Sequence, residues 1–242
     1  MSVAVDIGGT FTDLVAFDQS TGRVTQGKAL TTHGDLPQGV WDCLRKAGIA
    51  PHSADTVVHG STIAINIAIE EKGAVTALVV TRGTRDVYKI GRQNRPEAYN
   101  FAFRRPVPLV PRSRTFEADE RLTASGEVLM PLAEEHALSI VEAVRASGAA
   151  AVAVCFLHSY ADPRHEAALG ELLRALLPGV YVSLSHEIVR EYREYERTST
   201  TALNAFVGPR VQAYLRKLED FMQGERFPGK INIMRSNGGV MS

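Results

Sequence analysis

The sequence predicts an α/β fold in which helices flank a mixed sheet. Two patterns carry this prediction: three short strand patterns joined by turns at the amino terminus, and alternating helix and strand patterns over most of the remaining chain. The composition agrees with it, because 45% of the 242 residues are apolar and 22% are charged, which is typical of a folded globular protein. A chain of this length can bury a substantial core.

The first three strands form a predicted meander. Residues 3–7 and 11–17 are typical strands joined by the turn Gly8-Gly9-Thr10, and a second turn at 19–22 leads into a strand at 23–30. Beyond them, Asp35 starts a helix, and Ser61 stands where the N-cap of a second helix is expected. The resulting order βββαβαβ is completed by a helix at 35–48, a strand at 56–59, a helix at 61–71 and a strand at 75–81.

Residues 83–131 are predicted to form a long irregular insertion, because periodicity weakens there while Arg, Pro and aromatic residues concentrate. A loop of this length in a compact domain is often functional. Regular structure then resumes with helices at 132–147, 162–178 and 197–222, the last with a kink expected at Gly208-Pro209, and strands at 149–157, 181–184 and 231–234.

Charge and apolar patterning exclude several classes of partner. Lys plus Arg and Asp plus Glu both number 27, so no net field favours a nucleic acid or an anionic membrane. The longest apolar run, 149–157, is about half the length that a membrane span needs. Cys43 and Cys155 fit neither a disulfide framework nor a metal cluster and are expected to be core thiols. We expect a cytoplasmic protein with no nucleic-acid or membrane partner.

The sharpest motif runs from Asp6 to Asp13, Asp-Ile-Gly-Gly-Thr-Phe-Thr-Asp. Two glycines in a hairpin turn let backbone N–H groups approach an anion, and hydroxyl groups add donors. Asp6, at the end of the first strand, is placed to hold the Mg²⁺ of a nucleotide, directly or through water. The motif predicts a phosphate-binding turn, with an ordinary tight hairpin as the alternative. The residues expected to contact the cofactor are Gly8, Gly9, Thr10, Phe11 and Thr12.

The sequence shows neither a dinucleotide-binding Gly-x-Gly-x-x-Gly pattern nor a P-loop. The turn resembles instead the first phosphate motif of the actin, hexokinase and heat-shock-protein superfamily. Further stretches narrow the resemblance to the hydantoinase A/oxoprolinase family, which includes N-methylhydantoinases, 5-oxoprolinases and subunits of acetone and acetophenone carboxylases. The matching stretches are residues 5–13, 59–62 with Asn66, 81–86, 91–93, 117–121, 193–200, 204–205 and 236–239.

The resemblance implies an actin-like ATPase fold of the ribonuclease-H type, with this chain as the first half of a two-lobed nucleotide-binding protein. It also implies a reaction in which ATP, with Mg²⁺, phosphorylates the carbonyl oxygen of a small cyclic amide such as a hydantoin or 5-oxoproline. Hydrolysis of the activated species usually involves a hydantoinase B-type partner subunit or domain. On this basis Asp6, Asp13 and His59 are expected to act in catalysis.

Other motif residues are weaker candidates for binding the substrate. Each has a structural alternative: His59 suits a helix cap, the Arg-rich loop suits solvent, and the charge runs at 119–121 and 191–197 suit ion pairs or a helix terminus. His158, His165 and His186 show no metal-ligand spacing. The candidate substrate-binding residues are Thr62, Asn66, Arg92, Gln93, Arg95, Asp119, Arg121, Glu194 and Arg197.

We expect residues 1–190 to form the family's amino-terminal domain and residues 191–242 to begin the hydantoinase A domain. The second phosphate hairpin that the resemblance implies is not in the sequence. The chain is therefore expected to be a fragment that lacks its carboxy-terminal lobe and is inactive alone. Three alternatives stay open: a ketone carboxylase subunit, a small-metabolite kinase, for which no sugar-loop Asp is found, and a non-catalytic actin-like binding module.

Overall fold

The chain forms two compact units in a computed structural model. Unit 1 comprises Met1–Glu70 and Arg210–Ser242, and unit 2 comprises Glu71–Pro209. The residues that the structure describes are 1–32, 35–92, 94, 97, 99–234 and 239–241.

Strands and helices follow one another largely in the predicted order. The sequence βββαβαβ is confirmed for the first seven main elements. The strands are β1 (Ser2–Ile7), β2 (Phe11–Phe17), β3 (Val24–Leu30), β4 (Thr56–Ser61), β5 (Thr76–Thr81), β6 (Thr115–Ala118), β7 (Arg121–Leu122), β8 (Val128–Met130), β9 (Ala151–Cys155), β10 (Tyr181–Leu184), β11 (Lys230–Met234) and β12 (Val240–Met241). The helices are α1 (Leu36–Lys46), α2 (Ile63–Ile69), α3 (Val87–Ile90), α4 (Glu134–Ala146), α5 (Arg164–Leu176), α6 (Ser185–Ile188) and α7 (Glu194–Gly224).

Unit 1 is built on a mixed six-stranded sheet with the order β12-β11-β4-β1-β2-β3. β1 runs antiparallel to β2 and parallel to β4. Side chains along β2 alternate strictly between exposed and buried, so one face of the sheet carries the core and the other faces outward. The core side chains come from this inner face, from α1 and from the last turns of α7, and include Val3, Val5, Leu14, Val40, Leu44, Tyr214, Leu218 and Met222.

The outer face of the same sheet positions the candidate site. Asp6 on β1 and Asp13 on β2 are exposed there, while their sequence neighbours Val5, Ile7 and Leu14 are buried. A shift of register by one residue would turn the two carboxylates into the core, so burial of the apolar set fixes their direction.

Unit 2 contains a parallel four-stranded sheet with the order β10-β9-β5-β6. Every residue of β5 and β9 is buried, as expected for strands covered on both faces. Fully burying each Val or Leu contributes about 1.5–3 kcal/mol relative to exposure. α4 and α5 cover one face, and Ala202 and Ala205 of α7 pack on the other. β7 and β8 form a separate two-stranded sheet.

The structure differs from the prediction at Ser61 and in the segment 83–131. Ser61 is the last residue of β4 and not a helix N-cap; α2 begins at Ile63, whose N–H donates to Ser61 Oγ at 3.1 Å. The segment 83–131 is not irregular throughout, because β6 lies within it and pairs with β5. Strand β6 has no alternating pattern, since its two end residues are buried and its two middle residues are half-buried.

The long helix α7 continues through Gly208 and Pro209, where the sequence predicts a kink. Gly208 lies against Tyr181, and a Cβ at this position would be 2.5 Å from the Tyr181 ring. Close packing therefore explains the glycine. None of the described helices is both long and apolar enough to cross a membrane.

Candidate functional site

The turn between β1 and β2 is tightly closed. Gly8 N donates to Phe11 O at 3.0 Å, and Thr31 Oγ1 donates to Gly8 O at 2.9 Å. A Cβ on Gly8 would lie 3.1 Å from Phe11 O, so a larger residue would strain the turn. Gly9 and Thr10 are exposed at the tip, where an anion can approach the backbone without a side chain in the way.

Two carboxylates stand side by side next to this turn. Asp6 and Asp13 are register partners on β1 and β2, and both are exposed. Lys28 Nζ on β3 lies 3.0 Å from Asp13 Oδ1. On the other side of Asp6 the register partner is Gly60, where a Cβ would lie 3.1 Å from Asp6 Oδ1. The absence of a side chain at position 60 therefore leaves the Asp6 carboxylate accessible.

The carboxylates border an open pocket of about 460 Å³, a size typical of small-molecule sites. Ser61 and Thr62 bring backbone and hydroxyl groups from the end of β4 to the same pocket. Its apolar wall consists of Ala4, Val5, Val15, Ile65 and Met234. The pocket thus combines acidic groups, small polar groups and an apolar surface within unit 1.

Thr62 and Asn66 lie at the amino end of α2, beside the turn. Thr62 Oγ1 donates to Ile7 O at 3.4 Å, and Asn66 Nδ2 donates to Thr62 Oγ1 at 3.3 Å. A Cβ on Gly9 would lie 3.8 Å from Asn66 Nδ2. The structure therefore places both predicted substrate-binding residues next to the predicted phosphate turn.

The donor set at this pocket fits Mg²⁺ only together with an anion. Magnesium in nucleotide sites is held by one or two carboxylates and by phosphate oxygens, and Asp6 and Asp13 supply the carboxylates. Among the described residues, no group of three or more His, Cys, Asp and Glu side chains is placed to hold a metal ion. A cation here would therefore complete its coordination with phosphate and water.

The hydroxyl of Thr12 cannot donate a hydrogen bond to a phosphate, although the sequence predicts that Thr12 contacts the cofactor, because the residue is fully buried on the inner face of the sheet. Its Oγ1 shares a hydrogen bond with Thr31 Oγ1 at 3.2 Å, and Thr31 in turn holds Gly8. Thr12 therefore stabilises the turn from the buried face of the sheet, through Thr31. Phe11 is 42% exposed on the outer face, with Lys28 Nζ 4.6 Å from its ring centroid.

His59 lies beneath the pocket and does not reach it. The side chain is buried in unit 1, and its Nε2 is 2.6 Å from Tyr214 Oη on α7. Burial lowers the pKa of His59 from 6.5 to about 4, so the ring is neutral near pH 7. This placement matches the structural alternative and not the predicted catalytic role, because a general base must reach its substrate.

Two candidate substrate residues of the 92–121 segment, Arg92 and Asp119, take part in ion pairs. Arg92 Nε donates to Glu196 Oε1 at 2.5 Å. Gln93 and Arg95 lie outside the described residues. Asp119 Oδ1 lies 2.5 Å from Arg82 Nε, and Arg121 Nη2 donates to Arg82 O at 3.4 Å. For Asp119 the geometry fits the ion-pair alternative, whereas Arg121 donates to a backbone carbonyl.

Arg197 is fully buried in unit 2, contrary to the expectation for a substrate ligand. Its Nη1 donates to Ser159 Oγ at 2.6 Å and its Nη2 to Phe156 O at 2.7 Å. With Glu194 it lines a cavity of only about 10 Å³, which has room for a single water molecule. We assign Arg197 to the core of unit 2.

Sequence patterns missed the polar cluster that surrounds Arg197. Glu166 accepts hydrogen bonds from Phe156 N, Ser185 Oγ and His186 N at 2.8–3.1 Å. Ser185 Oγ is hydrogen-bonded to Ser159 Oγ, which accepts a hydrogen bond from Arg197.

A second buried carboxylate, Glu120, accepts a hydrogen bond from the Thr81 hydroxyl and lies 2.8 Å from His165 Nδ1. These residues are scattered over more than a hundred positions, and only the parallel sheet brings them together.

Comparison with known families identifies this architecture. The profile described as the hydantoinase/oxoprolinase N-terminal region matches residues 2–177, and the hydantoinase/oxoprolinase profile matches residues 197–242. The chain belongs to the hydantoinase/oxoprolinase family. The resemblance based on the motifs is thereby confirmed.

Two curated relatives show how much of a family member this chain represents. It is 38% identical over 241 residues to an uncharacterized protein of Methanocaldococcus jannaschii, covering 98% of this chain and 35% of that protein. It is 30% identical over 248 residues to the caprolactamase subunit alpha of Pseudomonas jessenii, covering 98% and 36%. The chain thus spans about a third of the length of these relatives.

Solved structures show the same fold. A nucleotide-free acetone carboxylase, studied for ATP-dependent acetone carboxylation, matches with a TM-score of 0.87 and 27% identity, covering 100% of this chain and 37% of that chain. The ATP-dependent caprolactamase of Pseudomonas jessenii matches with a TM-score of 0.85 and 28% identity, covering 99% and 36%. The predicted actin-like ATPase fold, with a mixed sheet and flanking helices, is confirmed by these relatives.

Proposed function

We propose that this chain supplies the first phosphate-binding hairpin of an enzyme that uses ATP to hydrolyse a cyclic amide. The observation that carries the proposal is the pair of adjacent carboxylates, Asp6 and Asp13, at an open pocket beside the turn whose tip residues Gly9 and Thr10 are exposed. The family supports it, because its relatives include an ATP-dependent caprolactamase.

The residues of unit 1 take separate parts in this proposal. The backbone of Gly9 and Thr10 binds phosphate oxygens. Asp6 would hold Mg²⁺, and the negative charge of Asp13 would be shared between Mg²⁺ and Lys28. Bound Mg²⁺ would neutralise charge on the transferring phosphoryl group. Thr62 and Asn66 keep the turn and the start of α2 at a fixed spacing. These assignments concern positioning and charge, which dominate phosphoryl transfer.

Phosphorylation of the carbonyl oxygen gives a chemical reason for using ATP. An amide carbonyl is a poor electrophile, whereas the phosphorylated imidate carries a good leaving group for attack by water. The chain spans about a third of its relatives' length, so the complete reaction is proposed for a longer polypeptide containing it. The relative named as a caprolactamase subunit supports a partner subunit for this reaction.

Activation of a ketone for carboxylation is the second candidate function. The likeness to acetone carboxylase, with a TM-score of 0.87, favours it as much as the caprolactamase likeness favours hydrolysis. Both candidates share phosphate binding at the hairpin. They differ in whether a lactam, or a ketone with bicarbonate, stimulates ATP hydrolysis by the longer polypeptide and its partner subunit.

Calorimetric titration of the chain with Mg²⁺ and a non-hydrolysable ATP analogue tests the shared step. We expect weak but saturable binding that Asp6→Asn abolishes, because that substitution removes the charge facing the metal. Asp42→Asn on α1 makes the same charge change outside the pocket and should bind as the unaltered chain does. Equal binding by Asp6→Asn and the unaltered chain would contradict the assignment of the hairpin.

A further inference from the structure

The parallel sheet of unit 2 has a crevice between the carboxyl ends of β5 and β9, which are hydrogen-bonded neighbours. The chain leaves β5 towards α3, whose Tyr88 packs on one face of the sheet. It leaves β9 towards α5, whose Leu169 packs on the other face. In open α/β sheets, ligands bind where adjacent strands continue to opposite faces. The topology therefore marks this crevice as a position for a ligand.

A cavity of about 10 Å³ occupies the crevice. Val80 of β5 and Cys155 of β9 line it from the sheet, and Tyr88 of α3 with Glu194 and Arg197 of α7 form further walls. A volume of this size holds one water molecule and nothing larger.

Arg197 keeps one donor without a partner at this cavity. The side chain is fully buried, and its Nη1 and Nη2 donate to Ser159 Oγ and Phe156 O. The face of the guanidinium group lies against Tyr160, with 5.4 Å between its carbon and the ring centroid. Among the described residues, none accepts a hydrogen bond from the buried Nε. A buried N–H group without an acceptor is unfavourable, so an acceptor is expected beside it.

Glu194 supplies an acceptor on the other side of the cavity. It is half-buried and precedes Arg197 by three residues on α7, so both side chains lie on one face of the helix. Its carboxylate makes no hydrogen bond or ion pair with another residue of the described part of the chain. The carboxylate disfavours a bound anion, and the guanidinium group disfavours a bound cation. The cavity therefore fits a neutral ligand that both accepts and donates hydrogen bonds.

We infer that one water molecule is bound in this crevice and bridges Arg197 and Glu194. The water accepts a hydrogen bond from Arg197 Nε and donates one to the Glu194 carboxylate. It completes the hydrogen bonding of the buried guanidinium group and forms a water-mediated ion pair at the start of α7. The site belongs to unit 2 alone and is independent of the nucleotide hairpin.

Water-selective NMR of the 242-residue chain tests this inference at the proton concerned. The Hε proton of Arg197 should show a rotating-frame Overhauser effect to water, with the sign of a close contact and not of proton exchange. The signal is identified by its loss in Arg197→Lys, which has no N–H group at that position. Should this variant not fold, contacts between Hε and the ring protons of Tyr160 identify the signal.

Filling the cavity provides the second test. Val80→Ile adds one carbon beside the cavity and should abolish the Overhauser effect to water while the Hε signal remains. Val87→Ile makes the same addition from α3 and replaces Val80→Ile if that variant does not fold. Val128→Ile, at an exposed position of β8 outside the cavity, is the matched control and should keep the effect. Circular dichroism checks that each variant is folded.

Removing the acceptor provides the third test. Glu194→Ala should shorten the residence time of the water about tenfold, as the loss of one charge-assisted hydrogen bond implies. Oxygen-17 relaxation dispersion measures this time, and Glu191→Ala, at an exposed position, should leave it unchanged. Three results would overturn the inference: no Overhauser effect at Arg197 Hε in the folded chain, an effect that persists when the cavity is filled, or equal residence times in Glu194→Ala and Glu191→Ala.

Discussion

At the residue scale, access to Asp6 depends on the missing side chain at position 60. We predict that Gly60→Ala lowers the affinity for a Mg²⁺–nucleotide analogue about tenfold, because the new methyl group would lie 3.1 Å from Asp6 Oδ1 and displace the carboxylate. Calorimetry measures this effect. Gly179→Ala is the control, since its Cβ meets nothing within 4 Å. Unchanged affinity in Gly60→Ala would show that this carboxylate does not contact the ligand.

The buried His59 makes unit 1 sensitive to acid. Its folded-state pKa of about 4 lies below the ordinary value of 6.5, so the unfolded chain takes up a proton first as the pH falls. The free energy of unfolding should therefore decrease as the pH falls below about 6.5. The decrease that His59 causes should be complete near pH 4 and amount to on the order of 3 kcal/mol. Urea unfolding at a series of pH values measures this loss.

His59→Gln provides the comparison for this prediction, because glutamine does not titrate. The variant loses some stability at pH 7, but its unfolding free energy should fall less steeply between pH 6.5 and pH 4. Identical slopes for the two proteins would assign the acid sensitivity to other groups.

Sequence patterns predicted which residues belong to the candidate site better than they predicted whether each side chain points to the pocket or into the core. Asp6 and Asp13 lie together at a pocket because strand alternation and β pairing follow directly from the sequence. Thr12 is buried because it shares a face of β2 with Leu14, which the alternation along the strand already indicates. The burial of His59 and Arg197 depends on Tyr214 and Ser159, which are distant in the chain. No local pattern contains that information. The roles of the site residues stay predictions.

At the element scale, α5 packs closely on β10 through Gly170. A Cβ there would lie 2.4 Å from Leu184 Cδ1, in a core that is already filled. We predict that Gly170→Ala destabilises the protein by about 1–3 kcal/mol, although alanine favours the helix. Glu171→Ala, at the next and exposed position, should change the unfolding free energy little. Chemical denaturation compares them, and equal stability would mean that α5 can shift away from β10.

The buried cluster around Arg197 ties the start of α7 to the end of β9. Arg197→Met removes the donors to Ser159 Oγ and Phe156 O. It should lower the free energy of unfolding by about 3–5 kcal/mol, because buried polar groups lose their partner. Arg193→Met, on the exposed side, is the matched control. A variant with normal thermal unfolding would favour the substrate-binding role predicted from the sequence.

Elements with strong periodicity were predicted and weakly patterned ones were missed. The meander β1 to β3 and the buried strands β5 and β9 appear near their predicted positions. The strand β6 was missed because four residues with two half-buried members show neither alternation nor an apolar run. Its pairing with β5 is a long-range effect, and short strands of this kind are determined mainly by their neighbours.

At the scale of the whole molecule, the chain corresponds to about a third of its curated relatives. We predict that the 242-residue chain alone shows no lactam-stimulated ATP hydrolysis, whereas a polypeptide of the relatives' length with its partner subunit does. Phosphate release, measured with and without lactam, checks this. The Asp6→Asn form of the longer polypeptide is the control. Stimulated hydrolysis by the chain alone would show that it holds a complete catalytic site.

The position of β11 has a consequence for how the protein is made. This strand pairs with β4 in the sheet of unit 1, yet all of unit 2 separates the two in the sequence. During synthesis on the ribosome, residues 71–209 emerge as an uninterrupted segment and can fold before β11 exists. The outer edge of β4 therefore stays unpaired until about a hundred and seventy further residues have been made, and an unpaired strand edge is open to wrong strand pairing.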